Sequence, residues 1–400
     1  MNLIIPAIAF YIVFVCASLT ALHFLLRDIS RNTGKQPRWS TVFLVLCGIG
    51  FCFSPLGTLI QDGPAGWFFH RMGNVFLGFV LYFFGPLLML GICALFFQRP
   101  VFGNAAPEKI RAGKRCARVI FCVLLLLSVC LNIYGSFKAR KVEVTHYEVR
   151  SGKLAKERPF RIVFISDLHI SVNSTPRHMR EMADRINEQE ADLVLVGGDL
   201  ITSSFGAMGS PEVYREILSD IHARYGIYGV YGNHDVEEPL FCGFPAKDPS
   251  RAFRSQAFEE FLKACGFHMM EDESVIIPEL GGLVIAGRED RDKSGEGTVG
   301  RVSVGELVRD VEETAPLILL EHEPDDLEEL HEYGIDLCLC GHTHNGQIFP
   351  GNYTARLFAP QTYGQKDWDG TQVIVSSGVG FFGPPIRIGT ISEIVVIDVM

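Results

Sequence analysis

Hydrophobicity along this chain changes character near residue 141. Before that point come four apolar stretches, residues 3–26, 41–60, 75–97 and 119–137, with very few charges inside them. At 1.5 Å of rise per helical residue each is long enough to cross ~30 Å of hydrocarbon, so four transmembrane helices are predicted. Helices buried in a soluble domain would carry more charge than these runs do. The stretch 3–26 has the apolarity of a signal peptide but lacks a basic leader and precedes three more spans, which predicts a retained helix.

After residue 141 the pattern shortens and alternates. Residues 142–149 read as a strand and 150–158 as a short polar linker. Compact apolar runs at 162–165, 193–196, 227–231, 317–320 and 337–339 read as buried strands. Between them, 176–190, 211–224 and 252–265 have amphipathic helical spacing, 274–277 and 283–286 form a predicted hairpin, and 302–313 and 324–333 are predicted helices. Strands at 372–376 and 391–399 close the chain. The expected organisation is a four-span transmembrane region, 1–141, and an α/β domain, 142–400, with a mixed sheet system and helices outside it.

Charge divides the chain in the same place. Up to Lys141 there are 14 basic residues against three acidic ones, whereas the remainder holds 22 basic and 43 acidic residues, a net of −21. A domain this acidic repels a phosphate backbone, so nucleic acid is not expected as a specific partner, while divalent cations would offset the charge locally. Basic residues concentrate in the first loop (Arg27, Arg31, Lys35, Arg38) and in or beside the third (Arg99, Lys109, Arg111, Lys114, Arg115, Arg118). By the positive-inside rule both loops face the cytoplasm, which puts the C-terminal domain on the extracytoplasmic side of a plasma or inner membrane. Lys138, Arg140 and Lys141 favour the opposite orientation but are outnumbered.

Seven of the 11 cysteines lie in or beside the spans and read as small apolar side chains. Cys338 and Cys340 share one face of a strand and are expected in the core, badly placed for a disulfide, whereas Cys242 and Cys265 are free to pair or not.

The chemistry gathers in five polar clusters, most of them directly after one of the apolar runs: Asp167-Leu168-His169, Gly198-Asp199, Gly232-Asn233-His234-Asp235, the lone His322, and Gly341-His342-Thr343-His344. Ligand sites form beyond the carboxyl ends of strands in open α/β sheets. Alternation along D-x-H is expected to send both donors to one side of the strand end, and likewise His342 and His344. Carboxylate and imidazole donors suit Mn, Fe or Zn, and a carboxylate can span two cations ~3.5–4 Å apart. The acidic run from Glu321 to Glu329 reads, His322 apart, as a helix N-terminus. His146, His178, His222, His268 and His331 are expected on the surface or on helix faces.

The ordered set D-x-H, G-D, G-N-H-[DE], H, G-H-x-H resembles the calcineurin-like metallophosphoesterase superfamily over about residues 160–400, with every element present. The GHTH-N-G-Q extension and the preceding membrane region are more similar to its membrane-associated branch. The resemblance implies a layered β-sandwich flanked by helices and a hydrolase with a dinuclear centre of divalent metal ions. It implies that Asp167, His169 and His344 hold one metal, that Asn233, His322 and His342 hold the other, and that Asp199 bridges them. It further implies that His234 faces the substrate and stabilises or protonates the leaving oxygen, with Asp235 to orient it. Arg387 is a candidate phosphate or headgroup contact. Phe381, Phe382, Pro384 and Pro385 are expected either as an apolar loop near lipid or as a rigid packed turn. The function expected is membrane-anchored hydrolysis of a phosphomonoester or phosphodiester, the substrate being lipid-linked or an envelope intermediate. The alternative is a scaffold or sensor that keeps the fold without turnover, against which the full set of ligands and His234 argue. A channel would need polar groups inside the spans.

Overall fold

The computed structural model of the chain describes residues 4–30, 38–60, 63–101, 107–202, 204–238, 240–241, 244–245, 253–291, 295 and 300–400. They divide into two compact units, Met1–Gly135 with Leu240–Ala246, and Ser136–Pro239 with Lys247–Met400. The helices, in order, are α1 (Ile4–Ser30), α2 (Arg38–Ile60), α3 (Gly63–Phe79), α4 (Gly85–Val101), α5 (Pro107–Arg140), α6 (Pro176–Asn187), α7 (Pro211–Ser219), α8 (Gln256–Ala264), α9 (Val304–Leu307) and α10 (Gly351–Thr354). The strands are β1 (Val142–Val149), β2 (Phe160–Ile165), β3 (Leu193–Gly197), β4 (Ile227–Val230), β5 (Leu240–Phe241), β6 (Phe244–Pro245), β7 (Phe267–Met270), β8 (Glu273–Ile277), β9 (Leu283–Gly287), β10 (Leu317–Leu320), β11 (Leu337–Cys340), β12 (Gly364–Trp368), β13 (Thr371–Val375) and β14 (Ser392–Val399).

Among the described residues, four helical segments are long and apolar enough to cross a membrane: Ile8–Arg27, Arg38–Ile60, Gly63–Cys93 and Arg115–Arg140. The third starts at Gly63, twelve residues before the apolar run expected at 75–97, because the intervening glycines and His70, Arg71 and Asn74 dilute its hydropathy. That stretch is held by close packing. A Cβ on Gly50 would meet the Phe76 ring at 2.4 Å, and one on Gly73 would meet Ser54 Oγ at 2.4 Å, so α2 and α3 approach at small residues. Phe51, Phe83, Phe84 and Phe121 are buried at the centre of the bundle.

Two six-stranded sheets form the second unit. One has the order β1-β14-β2-β3-β4-β7 and the other β12-β13-β11-β10-β9-β8. The β2-β3-β4-β7 and β9-β10-β11-β13 pairings are parallel, and antiparallel strands flank each set. Ile162, Phe164, Leu193 and Leu195 of the first sheet bury against Ile285, Ile318, Leu320 and Leu339 of the second. Alternate residues of the same strands, Val163, Ile165, Val194 and Val196, pack under α6, α7 and α8. Leu317, Leu319, Cys338 and Cys340 face Val304, Leu327 and Leu330 on the far side. This is the expected β-sandwich between helical layers, and strands buried on both faces explain the unbroken apolar runs.

Local departures have local causes. The helix expected over 302–313 is only the single turn of α9, since Gly305 and four valines give weak propensity. The helix expected from Pro324 is reduced to one 3₁₀ turn, Leu330–Tyr333, because Asp326 takes a left-handed conformation (φ 52°). Glu321 is buried against the Arg288 guanidinium at 2.8 Å rather than capping a helix. His178 is also buried, its Nε2 3.3 Å from Ser392 Oγ. Cys338 and Cys340 are buried thiols 3.6 Å apart, Cys265 is a buried free thiol, and Cys242 lies outside the described residues.

Candidate metal centre

The five clusters converge where β2, β3, β4, β10 and β11 end. Asp167 and His169 lie beyond the last residue of β2, and hydrogen bonds from their amides to the Gly198 and Asp199 carbonyls, 2.9 Å each, lock the two loops together. The mechanism of convergence differs from strand alternation. Asp167 (φ 53°), His169 (φ 44°), Asp199 (φ 55°), His342 (φ 68°) and His344 (φ 49°) all have left-handed backbone. Such conformations cost about 1–3 kcal/mol each when held against their preference, and clusters of them mark functional sites. Two glycines permit the crowding. A Cβ on Gly198, itself at φ 85°, would lie 2.8 Å from His322 Nδ1, and one on Gly232 would lie 2.3 Å from Asp199 Oδ1.

The donor atoms fall into two groups, Asp167 with His169 and His344, and Asp199 with His322 and His342, each with one ligand atom per residue and all within 4.8 Å of one another. In the first, His169 Nε2 faces His344 Nε2 at 2.9 Å, and Asp167 Oδ1 is 3.4 Å from His344 Nε2. In the second, Asn233 Oδ1 lies 3.1 Å from His322 Nε2 and 3.2 Å from His342 Nδ1. Asp199 reaches both, with Oδ2 3.5 Å from His169 Nε2 and 3.2 Å from His322 Nε2. Its Oδ1 accepts the His234 amide at 2.8 Å.

Neighbouring groups orient the rings. The Gly197 carbonyl accepts from His322 Nδ1 at 2.7 Å, so Nε2 points into the site, and Thr202 Oγ1 at 2.8 Å from His169 Nδ1 does the same for that ring. Burial pushes His169 down to about 3 and lowers His344 well below the ordinary imidazole value. Burial also raises Asp167 to about 6. Burial opposes charge at His322 as well, but the adjacent Asp199 carboxylate outweighs it and raises the imidazole, while Asp199 itself is held far below its usual range by His322 and His234. His169 Nε2, His344 Nε2 and Asp167 Oδ1 crowd one buried point, where close nitrogens and a carboxylate compete for the same few protons. A divalent cation would take the electron pairs of all three at once, so the residues present fit a metal, and mixed N and O donors fit a borderline one.

Three other residues singled out in the sequence lie as follows. His234 is beside the groups, its ring stacked on Phe382 at 4.8 Å between centroids. Its Nδ1 is 3.2 Å from Glu238 Oε1. Asp235 instead accepts the Ile201 amide at 3.0 Å and the Gly232 amide at 2.8 Å, and burial raises it to about 7. Glu238 was missed by sequence reasoning, although its i+4 spacing from His234 was available. Arg387 is fully buried. Its guanidinium donates to the carbonyls of Ser377, Gly378, Gly380 and Ile391, and burial lowers it to about 10. Phe381, Pro384 and Pro385 are buried and Phe382 is half-buried, so this segment is the packed turn of the two forms expected.

A family model for the calcineurin-like phosphoesterases matches residues 160–346, which hold every cluster above. The chain carries a calcineurin-like metallophosphoesterase domain. It is therefore one of the hydrolases that act on phosphoester bonds. A metallophosphoesterase of Aquifex aeolicus is 29% identical over 278 residues, 69% of this chain and 98% of its own length. A transmembrane protein with metallophosphoesterase domain from Danio rerio is 28% identical over 336 residues, 80% of this chain and 70% of that one. Together with the four apolar helices, that relative marks a membrane protein. Among solved structures, a dimetal phosphatase from Danio rerio aligns with 12% identity and a TM-score of 0.32 over 56% of this chain and 89% of that one. A 5'-nucleotidase precursor from Thermus thermophilus aligns with 17% identity and a TM-score of 0.34 over 60% of this chain, which spans 55% of it.

Proposed function

We propose that the domain is a divalent-metal-dependent phosphohydrolase acting at a membrane surface. Asp167, His169 and His344 hold one cation; Asn233, His322 and His342 hold a second; Asp199 is shared. The observation that carries this reading is the reach of Asp199 Oδ2 to nitrogens of both groups, 3.5 Å to His169 and 3.2 Å to His322. When bound there, Mn, Fe or Zn ions supply Lewis acidity towards a phosphoryl oxygen and lower the pKa of a water.

The chain's own residues do the rest. The Asp199 Oδ1 bond to the His234 amide ties the position of that ring to the ligand frame. Phe382 covers one face of the ring, and Glu238 accepts from Nδ1–H, so Nε2 is the atom left to hold a proton for the leaving oxygen. The buried Glu238 carboxylate, 3.2 Å from Nδ1, fixes the orientation of that ring. Asp235 acts further back, fixing the Gly232 and Ile201 amides on either side of the site.

Loop charges support four spans with the N-terminus and the phosphoesterase domain, 142–400, on the extracytoplasmic side. The substrate is then a phosphomonoester or phosphodiester at that face, a lipid headgroup or envelope intermediate. Detergent-solubilised full-length chain, stripped with chelator and restored with Mn²⁺, should hydrolyse a chromogenic diester or monoester and lose that turnover on chelation. Metal uptake without turnover on either ester, or on lipid phosphoesters in vesicles, would favour the scaffold instead.

A further inference from the structure

Beyond the centre, the described residues of the phosphoesterase domain carry one concentration of exposed apolar side chains. Phe349 is 49% exposed, Tyr353 61%, Leu357 78% and Phe358 88%. They fall within ten residues that begin five positions after His344. The backbone is anchored where the segment begins. The Phe349 amide donates to the Ile388 carbonyl at 2.8 Å, Gln347 Nε2 donates to the Phe382 and Pro384 carbonyls at 2.9 and 3.2 Å, and Thr390 Oγ1 donates to the Gln347 carbonyl at 2.7 Å. Two short helical turns, Gly351–Thr354 and Ala355–Leu357, carry the rest, and soluble surfaces seldom gather large apolar groups in this way.

Charge identifies what covers it. No acidic residue stands between Asp336 and Asp367, although the domain as a whole is strongly acidic, and Arg356 is exposed within the stretch with its guanidinium 5.9 Å from the Tyr353 ring centre. Aromatic rings beside arginine, with aliphatic groups and no carboxylates, have the composition of a segment that lies in the headgroup region of a bilayer. The bilayer is already at hand, since the last apolar helix runs to Arg140 and β1 begins at Val142.

We propose that Phe349 to Phe358 is a lipid-docking segment, which inserts Leu357 and Phe358 into the interfacial region of the membrane that the four spans cross. Because only four residues join it to His344, docking holds the metal centre beside the leaflet. Given the phosphoesterase reading, the substrate phosphate is then one carried at the bilayer surface.

The test uses the full chain reconstituted in phosphatidylcholine and phosphatidylglycerol vesicles, with Phe358 replaced by a genetically encoded dansyl amino acid and, separately, Leu357. The control position is Ile276, 62% exposed on β8. Lipid docking predicts blue-shifted emission at both sites and severalfold stronger quenching by brominated lipid than at Ile276, from insertion of ~5–10 Å. Emission as red as at Ile276, with equal quenching, overturns the proposal. So does a blue shift that follows protein concentration and ignores brominated lipid, which would mean that a second copy covers the segment. The fluorescence is independent of turnover, so failure of docking and failure of the phosphoesterase reading are separable.

Discussion

Replacing Arg387 with methionine separates two roles that sequence alone left together, a contact to phosphate and a brace for the site. The guanidinium serves four carbonyls. Two of these keep a second donor, since Ser377 Oγ reaches Ile391 O at 2.7 Å and the Glu393 amide reaches Gly378 O at 3.1 Å. Ser377 O and Gly380 O, which Arg387 Nη2 meets at 2.6 Å each, have no other donor among the described hydrogen bonds. Two buried carbonyls stranded at about 1–3 kcal/mol each amount to ~2–6 kcal/mol. The variant also relieves the burial that lowers Arg387 to about 10, so the lower half of that range, ~2–4 kcal/mol, is expected. At ~2–4 °C per kcal/mol, melting of the phosphoesterase domain should fall on the order of 10 °C. The assay is thermal unfolding of full-length protein in detergent at one fixed scan rate, with chromogenic hydrolysis measured well below the transition. Arg387→Lys should not restore stability, because an ammonium cannot span carbonyls arranged for a planar fork. A melting point within ~2 °C of wild type, together with a KM raised tenfold or more and recovered by Lys, would refute the reasoning and return Arg387 to the substrate.

Three further outcomes follow from the same geometry. Glu238→Ala should lower kcat on the order of 10–100-fold with KM little changed, more for an ester with a poor leaving group than for p-nitrophenyl esters, and add nothing to His234→Ala; a uniform loss across leaving groups would deny it a role through His234. His178, lowered by burial from 6.5 to about 4, is held neutral in the folded state, so its contribution is complete above pH 6.5 and is lost as pH falls towards 4, by about 3 kcal/mol. His178→Gln should flatten that stretch of the stability-versus-pH curve in denaturant titrations, and an unchanged slope would contradict the assignment. Gly232→Ala places a Cβ 2.3 Å from Asp199 Oδ1 and should reduce bound metal below one ion per chain in elemental analysis while the sheets stay folded by circular dichroism.

The sandwich was readable because strands buried on both faces write themselves as unbroken runs such as Leu193 to Val196, and no loop detail is needed to see them. The third span was only half legible, since Gly63 to Asn74 is helical through packing of small residues against α2, a property of two segments that one segment does not display. At the centre, residue types were legible and the means of bringing them together was not. D-x-H looks like strand alternation, yet Asp167 and His169 converge through left-handed loop backbone that only the surrounding hydrogen bonds can hold. Partners of buried charge were least legible. Asp235 adjoins His234 in sequence, but the tight turn commits its carboxylate to the Gly232 amide, and Glu238, three residues further on, reaches the ring. Arg387 looks like a free cation in Pro-Ile-Arg because nothing in that tripeptide reveals the four carbonyls that surround it.

Whether two cations share Asp199 is decided by counting the metal. Full-length protein purified after Mn²⁺ loading, with Asp199→Asn prepared in parallel, is measured by inductively coupled plasma mass spectrometry and assayed for ester hydrolysis. Two ions per wild-type chain, no more than one in the variant, and turnover in the wild type alone are expected. Two tightly held ions and full turnover in Asp199→Asn, or a wild type that binds none, would contradict it.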